Sequence, residues 1–261
     1  MRIENSFVPA SGVGANRERS LWESGILTWE EFDPSRAPLG EKTGERVESF
    51  VVEALERLDD GDVRYFGEQF PSGETWRFYE NFRDDALFFD IETTGLDSSR
   101  ENVTTVSFTQ GGETTTLVRG EGLTAEALRE QFRDAPLVVS FNGKQFDVPF
   151  LEDNFELAVD APHLDLMYSC RRIDLTGGLK SIEKQIGIDR DRPDLSGRDA
   201  VRLWYQYERD GDGDALDTLV SYNRDDTENL QNLADVVARR LHDDSIGAVA
   251  DESPGIPDPL A

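Results

Sequence analysis

Four carboxylates stand where an acidic side chain needs a reason: Asp90, Glu92, Asp147 and Asp226. Asp90 and Glu92 sit one residue apart at the end of the apolar run Ala86-Leu87-Phe88-Phe89. A strand sends alternate residues to one face, so both would point the same way from a segment whose other positions are buried. Two carboxylates side by side repel unless a proton or a cation neutralises them, and hard oxygen donors of this kind suit Mg²⁺ or Mn²⁺. Taken alone, the pair fits solvation at a strand end equally well.

Asp226 is selected by helical phase. At about 100° per residue, Leu219, Leu230, Leu233, Val237 and Leu241 form one stripe, with Asp226 inside it and Asp225 well off it. A carboxylate buried without a partner is costly, so Asp226 needs a cation, a partner base or a metal, whereas Asp225 can be solvated. Tyr222 lies one turn before Asp226 near the same face, within reach of the same site, although a lone tyrosine there also reads as an edge-of-core ring. Asp147, ahead of Val148-Pro149, has an ordinary reading as a helix N-cap.

These residues need elements to hold them. Strands are expected over 86–92, 102–109 and, after the Gly111-Gly112 turn, 113–119, which implies three sequential antiparallel strands. A helix over 124–133, an apolar strand over 136–141, a helix after Asp147 and a short strand over 164–166 continue in alternating α/β order. Helices then dominate through 241, and residues 242–261, rich in Asp, Pro and Gly, read as an acidic, flexible tail. Ahead of the strands, residues 1–58 form a helical region. Residues 8–34 read as two short helices, with Thr28-Trp29-Glu30-Glu31 at capping-box spacing, and a third helix spans 44–58. The first two resemble a helix-hairpin-helix element, which contacts DNA phosphates through its Gly-rich turn. Only Arg17 and Arg19 add positive charge there, so a packing module is the favoured reading. Residues 59–85 form an aromatic-rich connector, expected to pack against the strand-bearing domain that follows.

The 261 residues carry 54 acidic and 27 basic side chains, a net charge of −27, while 37% hydrophobic and 10% aromatic content supports a core rather than disorder. Four of the basic residues are Lys (Lys42, Lys144, Lys180, Lys184) and 23 are Arg. This usage resembles that of haloarchaeal proteins. In molar salt the Debye length shrinks to about 3 Å, and repulsion between surface charges is largely screened. An acidic partner-binding surface is the other reading of the charge. Cys170 is the only cysteine, which excludes an intrachain disulfide and a Cys-based zinc cluster. No apolar run approaches the roughly 20 residues of a membrane span and the N-terminus lacks a signal-peptide core, so a cytoplasmic location without membrane contact is expected.

Asp90-Ile91-Glu92-Thr93-Thr94-Gly95-Leu96, Phe141-Asn142-Gly143-Lys144-Gln145-Phe146-Asp147 and Tyr222-Asn223-Arg224-Asp225-Asp226 closely resemble, in order, the three exonuclease motifs of the DEDD superfamily. Tyr222 marks the tyrosine-bearing (DEDDy) subclass, and the match to YprB-like exonucleases is closest. The resemblance covers roughly residues 86–241 and includes Asp165 and Gly177-Gly178-Leu179-Lys180-Ser181. It implies a ribonuclease H-like α/β domain over 86–241, with a mixed five-stranded sheet flanked by helices. It also implies metal-dependent 3′-5′ hydrolysis of single-stranded DNA or RNA. Asp90, Glu92, Asp147 and Asp226 would hold two Mg²⁺ or Mn²⁺ ions, and Tyr222 would orient the nucleophilic water, since its ordinary pKa of about 10 makes it a poor base. Thr93, Thr94 and Leu96 would lie near the terminal nucleotide, Asn142 would hydrogen-bond the strand, and Lys144 and Lys180 would touch phosphate, though each also reads as a surface ammonium. His163 and His242 read as structural or exposed. The net charge opposes a polyanionic substrate unless the working medium is saline, because counterion release contributes little at high salt. The alternative is a non-catalytic nucleic-acid-binding or scaffold protein that kept the fold. Sugar preference and protein partners are not legible.

Overall fold

The computed structural model describes residues 1–250 and 254–259, which fall into two compact units: Met1–Arg83 with Asp235–Pro259, and a second unit from Asp84 to Ala234.

In the first unit, α1 (Ala15–Glu23), α2 (Glu41–Asp59), α3 (Val63–Gln69) and α4 (Tyr79–Phe82) surround an aromatic core. Trp29 meets Phe50 edge-on at 5.6 Å between centroids and stacks on Phe66 at 5.9 Å, while Phe70 meets Phe78 at 4.8 Å. The aromatic stretch thus packs with the N-terminal helices. Its rings alternate with Arg77, which joins Glu18 at 2.9 Å and Glu74 at 2.6 Å in a buried ion-paired group. The expected helical hairpin is also corrected. Its second member is one 3-10 turn, Trp29–Glu31, where the Thr28/Glu31 capping box forms but Pro34 forbids continuation. At the far end, the expected flexible tail includes residues 251–253 and 260–261, which lie outside the described residues. Among the described residues of this stretch, Ile246–Ala248 form a 3-10 turn, and both Ile246 and Ile256 are buried.

The second unit is built on β1 (Leu87–Thr93), β2 (Val103–Gln110), β3 (Glu113–Val118), β4 (Val138–Ser140) and β5 (His163–Asp165), in the order β3-β2-β1-β4-β5. The first three pair antiparallel, whereas β1 with β4 and β4 with β5 run parallel. Parallel neighbours need long crossovers, and α5 (Ala125–Phe132) and α6 (Asp147–Phe155) supply helical ones. The remaining helices are α7 (Leu166–Arg172), α8 (Leu179–Ile186), α9 (Gly197–Asp210) and α10 (Gly213–Asp244), of which α10 contributes residues through Ala234 to this unit.

β1 is central, and Asp90 is its only position that is not buried. Leu87, Phe89 and Ile91 pack into one core with Leu128 and Phe132 of α5 and Phe150 and Leu151 of α6. Period-two alternation sends Asp90 and Glu92 to the opposite face, where α9 packs on β1 and Leu203, Trp204, Leu219 and Tyr222 form a second core. Directly across β2 the partners are Ser107 for Asp90 and Thr105 for Glu92, so this face carries a polar patch within an apolar frame. The pairing register shifts between Glu92 and Thr93, a bulge that ends regular pairing where the chain leaves the strand.

Candidate metal and nucleic-acid site

The second unit brings the carboxylates of two separate sequence segments together, with Asp147 of a third near enough to repel Asp90. Ligand atoms from Asp90, Glu92 and Asp226 all lie within 4.8 Å of one another. β1 supplies the first two by alternation, and α10 supplies the third from the apolar stripe, whose members Leu219, Leu230, Leu233, Val237 and Leu241 are all buried. Asp226 is 6% exposed and Glu92 is 9% exposed. Asp225 departs from the expectation of a solvated group: it is half-buried, and burial followed by the nearby Asp191 raises its pKa.

Asp147 opens α6 and is 4% exposed, with its Oδ1 accepting a 3.2 Å hydrogen bond from the Ile91 amide of β1. The loop before it is fixed from behind by Asp165, whose carboxylate accepts from the amides of Asn142 (2.8 Å), Lys144 (3.1 Å) and Met167 (3.1 Å). Asn142 takes the left-handed conformation (φ 65°), which Asn tolerates better than most residues. Gly143 leaves no room for more: a Cβ there would lie 2.8 Å from Ser140 Cβ and 3.3 Å from Asp147 Oδ2. Ser140 is in turn hydrogen-bonded to His163 Nε2 at 2.7 Å.

The electrostatics follow from crowding four acids in a place poor in water. Burial, then repulsion from Asp226 and Asp147, pushes Asp90 and Glu92 well above the usual carboxylate range. Burial pushes Asp147 up to about 7. Burial also raises Asp226, but Arg190, Lys180 and the Tyr222 hydroxyl pull the other way. Tyr222, 5% exposed, is held firmly protonated by burial and by the same carboxylates. This set of hard oxygen donors, mutually repelling and partly dehydrated, fits divalent cations of the Mg²⁺ or Mn²⁺ type.

Among the substrate-contact candidates, Lys180 places its ammonium 4.5 Å from the centre of the Tyr222 ring and donates to the Leu195 carbonyl. Thr93, Thr94 and Leu96 border a cleft of about 670 Å³ that begins at Glu92 and also takes in Phe146, Ser196 and Arg198. Leu96 is 88% exposed there. Asn142 and Lys144 are tied through their backbone amides to Asp165.

Three neighbours were not singled out by sequence reasoning. Asn223, fully buried, donates from Nδ2 to Asp90 Oδ2 at 2.8 Å and accepts from Thr105 Oγ1 at 2.9 Å, which fixes its amide orientation and Asp90 together. Arg190 ion-pairs with Asp226 and hydrogen-bonds to Glu183. Glu183 carried a usable signal: it lies with Leu179, Ile182 and Ile186 on one helical stripe, by the same phase rule that selects Asp226. Arg190, in the charge-rich connection between α8 and α9, carried none.

Residues 87–238 match the family model described as the RNase_H superfamily. No curated protein matches. Among solved structures, the chain is similar to the family B DNA polymerase from the hyperthermophilic archaeon Pyrobaculum calidifontis, at 17% identity and a TM-score of 0.51 over 67% of this chain and 27% of the polymerase. The chain therefore spans about a quarter of that protein's length. A structure described as the apo form of a nuclease is 21% identical with a TM-score of 0.45, covering 63% of this chain and 76% of that one. NrnC from Brucella melitensis is 17% identical with a TM-score of 0.34, covering 62% and 86%.

Proposed function

The chain belongs to the RNase_H superfamily, and on that premise we propose that it is a metal-dependent 3′-5′ exonuclease of the tyrosine-bearing DEDD subclass, YprB-like in its motifs, acting on single-stranded DNA or RNA. One observation carries the reading: Asp90 and Glu92 on one face of the central strand meet Asp226 from an apolar stripe of α10, within 4.8 Å. A fold that needed only to bind or to scaffold would have no use for that repulsion.

Two divalent ions held by Asp90, Glu92, Asp147 and Asp226 would supply activation of the attacking water and stabilisation of the departing 3′ oxygen in an in-line displacement. The protein's own groups do the rest. Asn223 holds Asp90 at a fixed angle, and the Ile91 amide does the same for Asp147. Tyr222 stays protonated with its hydroxyl hydrogen-bonded to Asp226, so it would orient the water without removing a proton from it. Lys180, beside that ring, offers a charge to the scissile phosphate. In the cleft, Leu96 and Phe146 give apolar surface to the terminal base, while Thr93, Thr94 and Arg198 offer polar groups to sugar and phosphate. Asn142 and Lys144, on the loop anchored by Asp165, serve the strand upstream.

The decisive experiment is incubation of end-labelled DNA and RNA oligonucleotides with Mg²⁺ or Mn²⁺ in high salt. Release of mononucleotides from the 3′ end, abolished in Asp90→Ala and Asp226→Ala, is the expected outcome. Absence of hydrolysis with both polymers and both metals would turn the assignment to the non-catalytic binding protein.

A further inference from the structure

Arg190 and Glu183 have no part in the chemistry above, yet they are among the most buried charges of the second unit. The Glu183 side chain is 1% exposed and that of Arg190 6%. The guanidinium lies between two acids: Nε donates to Glu183 Oε2, and Nη1 meets Asp226 Oδ1. Both contacts are buried ion pairs, and buried charges of this kind are costly to leave without a counter-charge. The connection that carries Arg190 is fastened to α10 by Asn229 Nδ2, which donates to the Asp189 carbonyl at 3.3 Å. The guanidinium is therefore held beside the carboxylate by anchors of its own as well.

Asp226 is thus claimed twice, by a cation built into the chain and by whatever cation it shares with Asp90 and Glu92. We propose that Arg190 sets the affinity of the carboxylate cluster for divalent metal by competing for Asp226, and that Glu183 restrains Arg190 in that competition. The inference rests on the metal-binding reading of the site. A fixed positive charge beside a doubly charged ion opposes its binding, and the carboxylate that neutralises this charge relieves the opposition. The two residues, though paired, act on the metal with opposite signs. A pair that merely braced α8 and the following connection against α10 could not do so.

The test is a Mn²⁺ titration of the full chain without nucleic acid, at fixed pH and salt, with free Mn²⁺ followed by electron paramagnetic resonance. Arg190→Gln is expected to bind Mn²⁺ about tenfold more tightly than wild type, and Glu183→Gln severalfold more weakly because Arg190 is then left to Asp226 alone. The double variant, which leaves no charge unpaired between the two positions, follows Arg190→Gln and carries the test if the single variant does not fold. Equal affinities, or shifts of the same sign in both single variants, overturn the inference while leaving the metal site standing. A wild-type chain that binds no Mn²⁺, or an Asp226→Asn chain that binds it as well as wild type, overturns the metal reading and the inference with it.

Discussion

Tyr222 shows how little a residue's name says about its task until its surroundings are known. Its hydroxyl is kept protonated by burial and by three neighbouring carboxylates, so removing it deletes a hydrogen-bond donor and leaves the metal ligands in place. Tyr222→Phe should lower the rate of mononucleotide release roughly tenfold to a hundredfold with little loss of Mn²⁺ affinity, as read by single-turnover kinetics beside a binding titration. An unchanged rate would remove Tyr222 from the mechanism. His163 makes a different prediction. Burial, then the nearby Lys144, lowers its pKa from the ordinary 6.5 to about 3. Between those values the unfolded chain binds a proton that the folded chain refuses. Stability from this residue is complete above about 6.5 and is lost as the pH falls toward 3. Denaturant unfolding at a series of pH values should show a shallower acid loss in His163→Gln than in wild type.

At the scale of elements, the second motif depends on close approach more than on chemistry. A methyl at Gly143 would drive into Ser140 Cβ at 2.8 Å and crowd Asp147. Gly143→Ala should cost about 1–3 kcal/mol in denaturant unfolding and lower activity beyond the loss of folded protein. Full activity at full stability would show that the loop can give way. The elements also show what a sequence can disclose. Asp226 was legible because a helix repeats, so one acid within a stripe of five apolar residues has a computable direction. Asp90 and Glu92 were legible because a strand alternates. Arg190 was not, since a connection between helices has no period, and its charges read as solvated until the fold folds them inward. The aromatic stretch before β1 was legible as needing burial, while the N-terminal rings it meets were not: side-chain type gives the need for a partner and not its identity. The second helix expected near Trp29 failed on one residue, Pro34, which outweighed a capping box that does form.

For the whole molecule the question is how a chain of net charge −27 holds four of its acids close together. The surface acids cost little where salt screens them, whereas the buried group is beyond the reach of screening and must be neutralised by protons or cations at the site. This separates two dependences. Raising KCl from dilute buffer to about 2 to 4 M should raise the melting temperature of wild type and of Asp226→Asn alike, because it acts on the surface. Mn²⁺ at constant KCl should raise that of wild type more than that of Asp226→Asn. A chain equally stable in dilute buffer would remove the halophilic reading. Among the described residues no helix is long and apolar enough to cross a membrane.

The course of the chain through the site also fixes when the site can exist. Asp90 and Glu92 come first with β1, Asp147 follows at the head of α6, and Asp226 arrives only with α10. A polypeptide still on the ribosome, with its sheet already formed, would present an incomplete ligand set to the RNA around it. The proposed cutting activity would begin only once α10 has docked, which gives the order of synthesis the effect of a safety catch.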